Sequence, residues 1–462
     1  MKDRPIIKAF VHNGGYYLYA PYMNYVLRIT KTQFQELKKL ESLGIRKYIS
    51  QKTSRHNYSD IIMLIQSGFI TGCFVKEIKH PVCNDYVTIS NRFLSRMILQ
   101  VTQKCNFSCR YCHDAQPGSA STIDGISNMS WDVAKKAIDF LIEHSQDAEG
   151  IAIYFYGGEP LLNYNIIKRV VEYAETRINS KCVSYFMTTN GSLINYSMAD
   201  FFYKYRFKIA ISLDGDEKIQ NWHRKYRDGK HTFNDVWNNV EILRSAYGTD
   251  FIKDIMFLPV IFADENKQTV LDFFTAYGIN QSQISFLDAN TAGIDYSYAA
   301  LQSKTIEEII REEEKRQGIV DDQKDWLLNE YRNKYSIDQT WHHMGPCVPA
   351  VHKLFVNTKG DFYPCEKILN HFEVCIGNVY TGIDANRAIT LANIGQLTDS
   401  ECKKCWALRF CRLCLIHCID EEKCCLSRDT KLLHCESNKR NALQFLKEYI
   451  DSINSHGGEK SD

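Results

Sequence analysis

Apolar positions along the first 90 residues alternate and then recur at helical spacing. The stretch FVHNGGYYLYA (10–20) alternates around Asn13, Gly14 and Gly15, whose turn chemistry predicts a β-hairpin. Thr30 with Gln33 makes a capping-box signature, after which Phe34, Leu37 and Leu40 share one helical face. A further helix is expected over roughly Ser59 to Gln66, stopping near Gly68, and FITGCFV (69–75) reads as a closing hairpin. These elements predict a small winged-helix-like unit over residues 1–90.

The pattern then changes. Six β-rich apolar runs, 96–101, 151–156, 184–189, 208–213, 253–260 and 283–287, alternate with amphipathic helical stretches. Such alternation predicts an α/β architecture, a parallel sheet or a partial (β/α)6 TIM-like barrel over 91–300, with chemistry in the loops after the strands' carboxyl ends. Those loops hold the unusual residues: a cysteine triplet after the first run, YGGEP after the second, TNG after the third and SLDG closing the fourth. Residues 302–333 are highly charged with helical periodicity, which predicts a solvated helical connector over 301–345. Over 346–440 the chain is cysteine-dense and short in regular elements, as expected where metal centres replace part of a core. An amphipathic helix and tail close the chain over 441–462.

Composition narrows the function. A chain of 462 residues implies two or three domains. Lys plus Arg (56) balances Asp plus Glu (55), so no global field argues for nucleic acid or an anionic membrane as the main partner. No apolar run approaches a membrane span, and MKDRPIIKAFVHNGG lacks a secretory apolar region, so a cytoplasmic protein is expected. Seventeen cysteines in a reducing compartment then point to metal or catalytic roles rather than disulfides.

In CNFSCRYC, Cys105, Cys109 and Cys112 form a CxxxCxxC pattern. Structural zinc wants four ligands, usually as paired CxxC units, and a redox pair needs only two thiols. Three thiolates on one tight loop suit three irons of a [4Fe–4S] cluster whose fourth iron stays open. With Tyr111 inside the final spacing, this segment resembles the signature of radical S-adenosylmethionine (radical SAM) enzymes. The resemblance implies that the open iron chelates S-adenosylmethionine, and that reduction yields a 5′-deoxyadenosyl radical. It also implies cofactor contacts at Gly157, Gly158, Glu159 and Pro160 of YGGEP, with Glu159 offsetting the methionine amino group. Asn190, Ser212 and Asp214 fall where the family contacts the ribose or methionine carboxylate, and Arg224 or Arg227 falls where it pairs with that carboxylate.

The carboxyl-terminal cysteines resemble the SPASM extension of radical SAM enzymes that modify peptides. That resemblance assigns Cys402, Cys405, Cys411 and Cys435 to one auxiliary [4Fe–4S] cluster, and Cys347, Cys365 and Cys414 to another. The second either keeps an open iron or takes Cys375 or Cys418, because only two residues separate Cys411 from Cys414 where the family pattern has three. A pair of zinc sites is the rival reading of the CxxC spacing. Cys73, Cys83 and Cys182 read as ordinary thiols, and Cys424 and Cys425 stay open. Glu366, beside Cys365, stands where some relatives carry an acidic base, and reads equally as a surface carboxylate.

The amino-terminal unit resembles the PqqD-like element that binds leader peptides of ribosomally made natural products. Together the resemblances imply a maturase that forms thioethers in a cysteine-containing precursor peptide, of the ranthipeptide or sactipeptide type, drawing electrons from a donor such as flavodoxin or ferredoxin. Formation of carbon–carbon or carbon–oxygen crosslinks, sulfatase maturation and a non-catalytic scaffold are the alternatives. A scaffold has no need of the intact triplet and GGEP.

Overall fold

A computed structural model describes residues 4–51, 59–66, 68–112, 127–178, 181–261, 265–285, 287–288, 339–343, 347–368, 372–420, 423 and 425–456. The connector expected over 301–345 falls almost wholly outside these residues.

The amino-terminal hairpin forms as the pattern predicts: β1 (Lys8–His12) and β2 (Gly15–Ala20) pair antiparallel, with Asn13 and Gly14 both at positive φ in the turn. β3 (Tyr25–Ile29) adds antiparallel to β2, giving the order β1-β2-β3. Three helices follow, α1 (Lys31–Leu43), α2 (Ile45–Gln51) and α3 (Ser59–Gln66). The reciprocal Thr30–Gln33 capping box opens α1. One face of the sheet buries Ala9 and Leu18 against Leu37, Leu40, Tyr48 and Ile61. The other face buries Phe10, Tyr17 and Tyr19 against Leu446 and Ile450 of the terminal helix Cys435–His456. Strand alternation therefore gives this small sheet two cores.

The closing hairpin expected in FITGCFV does not form. Residues 69–75 carry no strand, and the chain continues to β4 (Glu77–Ile78), whose partner comes from far along the sequence.

The following short helix α4 (Tyr86–Ser90) leads into the central sheet. Its strands are β5 (Arg96–Thr102), β6 (Gly150–Gly157), β7 (Cys182–Thr189), β8 (Lys208–Ile211) and β9 (Ile255–Phe257), parallel and adjacent in that order. The intervening helices α5 (Trp131–His144), α6 (Tyr164–Arg177), α7 (Tyr196–Lys204), α8 (Glu217–His223) and α9 (Phe233–Tyr247) supply the expected crossovers. β6 shows the logic: Ile151, Ile153 and Phe155 are buried, while Ala152, Tyr154 and Tyr156 on the opposite face are half-buried.

The sixth run behaves differently from a simple strand. Gln281–Gln283 is a helical turn, Ile284 bridges Phe257 in parallel, and β10 (Val260–Ile261) pairs with β11 (Leu287–Asp288). The partner of β4 is β12 (Thr340–Trp341). At the sheet's other edge, β13 (Lys353–Val356) pairs in parallel with β5, and β14 (Phe362–Tyr363) pairs antiparallel with β13. The hairpin these two strands form between Cys347 and Cys365 thus extends the central sheet to seven strands.

The chain divides into two compact units, neither of them a single stretch. One comprises residues 1–84, 310–346 and 392–462, and the other 85–309 and 347–391. Among the described residues, no helix is long and apolar enough to cross a membrane.

Candidate functional site

The cysteine loop leaves the carboxyl end of β5 and is stitched to the exit of β6. Gly158 N–H donates to the Thr102 carbonyl (3.1 Å) and Glu159 N–H to the Lys104 carbonyl (2.8 Å). This closeness explains both glycines. A Cβ on Gly157, whose φ is +146°, would overlap the Thr102 carbonyl oxygen, and one on Gly158 would stand 2.5 Å from the Lys104 carbonyl oxygen. The glycines of YGGEP are therefore required by the backbone of the cysteine loop itself.

A second strand-like segment holds the loop from the other side. Phe107 bridges Tyr226 antiparallel, Ser108 N–H donates to the Lys225 carbonyl (2.8 Å), Arg110 N–H to the His223 carbonyl (3.0 Å) and Arg227 N–H to the Asn106 carbonyl (3.1 Å). The segment HRKYR is thus the pairing partner of the cysteine loop. Such a short irregular ladder has no periodicity for sequence reasoning to find.

Cys105, Cys109 and Cys112 are all partly exposed. Burial pushes the Cys105 thiol up to about 11 and the Cys109 thiol to about 12. Each also feels the charge of its fellow cysteines, while Arg227 on Cys105 and Arg224 on Cys109 pull the other way. Phe107 N–H donates to Cys105 Sγ (3.4 Å). Three thiols on one loop, with a backbone donor aimed at the sulfur of Cys105 and burial raising Cys105 and Cys109, are a donor set that bound iron would ionise. Among the described residues, no three His, Cys, Asp or Glu side chains are gathered tightly enough to hold a metal ion as they stand.

Glu159 is fully buried and ties adjacent loops together. Its Oε1 accepts from Leu161 N–H (3.0 Å) and Thr189 Oγ1 (2.7 Å), and its Oε2 from Asn190 N–H (2.7 Å). Burial pushes the carboxyl up to about 7 against the pull of these donors. Pro160 opens the helical turn that follows, where its missing N–H costs nothing. Asn190 Nδ2 donates to Asn106 Oδ1 (2.9 Å), and Asn106 Nδ2 donates to Ser192 Oγ (2.9 Å). Asn106 and Ser192 join the site unannounced by the sequence motifs, although they sit inside CNFSC and TNGS.

Asp214, with no exposure, is the hub beneath the loop. It accepts from Tyr111 Oη (2.8 Å), an Arg224 terminal nitrogen (3.0 Å) and Val260 N–H (2.9 Å). Arg224 Nε lies 3.0 Å from its other oxygen, in an ion pair with side-chain exposures of 8% and 0%. The guanidinium also lies over the Tyr111 ring at 5.2 Å. Burial works against the Arg224 charge, and Asp214, Tyr111 and Cys109 more than offset it. Of the two arginines expected to reach a carboxylate, Arg224 is thus committed to Asp214. The other, Arg227, is exposed and donates to the Cys105 carbonyl (2.7 Å). Ser212 lies partly exposed just past β8, its N–H on the Thr189 carbonyl.

Glu366 is elsewhere. Lys353 Nζ donates to it at 3.3 Å, and Glu366, Cys365 and Cys347 sustain the lysine's charge against burial. Lys353 is in register with Arg96, the first residue of β5, whereas the cysteine triplet follows the last. The seven residues of β5 span about 20 Å, so Glu366 stands at the opposite end of the sheet. Between the two ends, the inner face carries Tyr154 stacked on Phe186 (4.4 Å) and Tyr156 edge-on to Phe355 (6.1 Å).

In the other unit, Cys405, Cys411 and Cys435 all lie within electrostatic reach of Cys402. Burial pushes Cys405 up to about 11. Cys418, with no exposure, neighbours Cys414, Cys402 and Cys435, and burial pushes it up to about 12. Cys414 Sγ is 3.5 Å from His417 Nδ1. The buried Lys431, which donates to the Ile394 carbonyl (2.7 Å), is a cation shared by Cys411, Cys418 and Cys435, and Lys439 also acts on Cys405 and Cys435. Nothing in the sequence around Lys431 marks it.

Residues 99–275 match the Radical SAM superfamily. The chain is 27% identical over 205 residues to the radical SAM cyclopropyl synthase TigE of Paramaledivibacter caminithermalis, covering 42% of this chain and 41% of the relative. It is 24% identical over 182 residues to the serine-type anaerobic sulfatase-maturating enzyme of Bacteroides thetaiotaomicron, covering 39% and 42%. The chain thus spans less than half the length of these relatives. The solved structure of native anSMEcpe with bound AdoMet superposes with a TM-score of 0.55 at 19% identity, covering 78% of this chain and 99% of that one. The central domain is therefore a radical SAM α/β fold, of a family that binds S-adenosylmethionine and a [4Fe–4S] cluster.

Proposed function

We propose that this chain is a radical SAM maturase of a ribosomally made, cysteine-containing peptide, and that it installs crosslinks from cysteine sulfur to carbon. The observation that carries the peptide reading is the amino-terminal sheet. β3 is its outer strand, with no strand beyond it among the described residues, while Ile6, just ahead of β1, donates its N–H to the Thr71 carbonyl (2.8 Å). A leader peptide adding to β3 gains backbone bonds from the strand and side-chain selectivity from its surroundings. The chain's likeness to a cyclopropyl synthase and to a sulfatase-maturating enzyme supports a maturase.

When bound, a [4Fe–4S] cluster with S-adenosylmethionine supplies a 5′-deoxyadenosyl radical that removes hydrogen from a C–H bond. Cys105, Cys109 and Cys112 would hold that cluster. Gly157, Gly158 and Glu159 fix the loop, and Asn190, Ser212 and Arg227 present polar groups around it. Asp214 and Arg224 act beneath the loop, through Tyr111 and the paired segment, as positioning residues. The half-buried aromatic face of Tyr154, Tyr156 and Phe186, backed by the buried Phe355, would receive the peptide and keep water from a reactive carbon. For each crosslink, one hydrogen leaves as the new C–H of 5′-deoxyadenosine, the thiol loses its proton, and a carbon–sulfur bond forms as one electron leaves the peptide. That electron needs an acceptor of the iron–sulfur class, which we assign to the cysteines outside the triplet: Cys402, Cys405, Cys411 and Cys435 as one site, with Cys347 and Cys365 contributing to another. Glu366, paired with Lys353, is a candidate proton acceptor at that end of the sheet.

Sulfatase maturation is the second reading, favoured by the relatives. Mass spectrometry of a co-expressed cysteine-containing precursor separates the two. Thioether formation removes two hydrogens per crosslink and protects those cysteines from alkylation, whereas conversion of a cysteine to an aldehyde removes its sulfur. An unmodified precursor overturns the peptide reading.

A further inference from the structure

The outer surface of the cysteine loop carries a feature that cofactor binding does not use. Arg110 lies between Cys109 and Cys112, is exposed, and sets its guanidinium 4.4 Å over the indole of Trp222. Trp222 is itself 61% exposed at the end of α8, an unusual place for the largest apolar side chain. The stack is held from below, since the Arg110 backbone donates to His223, the residue after Trp222.

Charge is concentrated on the same ladder. Residues 104–110 and 222–231 hold Lys104, Arg110, Arg224, Lys225, Arg227 and Lys230 against a single acid, Asp228. Only Arg224 among them is buried, and Asp228 is paired with Lys230 at 2.6 Å. The whole chain carries a formal charge of +1, so this excess is local. An arginine stacked on an exposed tryptophan within a cationic surface has the composition of an interface hot spot and the field to steer an anionic partner.

We propose that the Arg110–Trp222 surface is the docking site of an acidic one-electron carrier protein. The inference rests on the reading of the triplet as a cluster site, which must be supplied with electrons from outside. A partner seated on Arg110 contacts the residue next to Cys109 and two positions before Cys112, on the cysteine loop itself. Charge complementarity sets its encounter rate, and the Arg110–Trp222 pair forms the desolvated centre of the contact.

The test compares two reductants of the anaerobically reconstituted protein, an acidic flavodoxin as its hydroquinone and the small molecule dithionite. With flavodoxin, cluster reduction read by electron paramagnetic resonance slows as sodium chloride is raised. Arg110→Glu slows it by about tenfold and flattens the salt dependence, and Trp222→Ala and Lys230→Glu, which lie outside the cysteine loop, slow it by several fold. Dithionite reduces Trp222→Ala and Lys230→Glu as fast as the unaltered protein. Flavodoxin-driven rates unchanged in all three variants, or insensitive to salt, overturn the docking site. An unaltered protein that takes no electron from dithionite overturns the cluster reading instead.

Discussion

Replacing Asp214 by Asn separates a positioning residue from a cofactor contact. The substitution keeps the shape but removes the charge that faces Arg224, leaving a buried guanidinium without its counterion. Breaking a buried pair in this way costs about 3–5 kcal/mol, most of it from the charge left behind. The new amide also turns a donor toward either Tyr111 or Arg224, both of which donate to the carboxylate. With an m-value of about 3 kcal/mol/M, the urea midpoint falls by roughly 1–1.7 M. The assay is urea unfolding of cofactor-free protein followed by tryptophan fluorescence. Asp214→Leu with Arg224→Met removes both charges, so it recovers much of the loss suffered by Asp214→Leu alone. A midpoint that does not move on Asp214→Asn, with S-adenosylmethionine binding lost, would refute the positioning role and return Asp214 to the cofactor.

Further consequences can be checked alongside. Gly158→Ala forces the β6 exit and the cysteine loop apart, because its Cβ would meet backbone rather than a movable side chain, and iron and sulfide content after reconstitution should collapse. Changing Cys105, Cys109 and Cys112 together to Ala should abolish 5′-deoxyadenosine, measured by chromatography. The Glu159 carboxyl is raised to about 7 in the folded protein, so its contribution is present at low pH and lost as pH rises from about 4.5 to 7. Its full value is about 3 kcal/mol, and the fall should be missing from the stability profile of Glu159→Gln. His342 shifts the other way, its pKa lowered to about 4 by burial, so it costs stability as pH falls from about 6.5 toward 4. Thermal melts of His342→Gln, in which that acid-side slope should flatten, check the sign.

Local signals were the readable part of the sequence. Thr30 and Gln33 announce the start of α1, Asn13 and Gly14 the first turn, and β-rich apolar runs the strands β5 to β8. Long-range pairing was not readable. FITGCFV has hairpin composition, yet the nearby β4 pairs with β12 and the segment itself carries no strand. Nor does any periodicity show that β13 lies against β5. In the site, the triplet and GGEP were legible because their residue types are chemically constrained. The mutual engagement of Asp214 and Arg224 depends on a loop ladder without periodicity, and Lys431 reaches its cysteines only through tertiary folding. Motif matching gives Glu159 a role at the cofactor, and carries no sign that its oxygens also accept from Leu161, Thr189 and Asn190.

The central claim is that one chain generates a radical at the cysteine loop and uses it to join sulfur to carbon in a peptide. High-resolution mass spectrometry of the precursor, after anaerobic turnover with S-adenosylmethionine and reductant, tests it most directly. The account predicts one 5′-deoxyadenosine formed for each loss of two hydrogens, with the fragmentation gap ending at an alkylation-resistant cysteine. A precursor whose cysteines all remain alkylable while 5′-deoxyadenosine accumulates, or one that has lost sulfur, would contradict it.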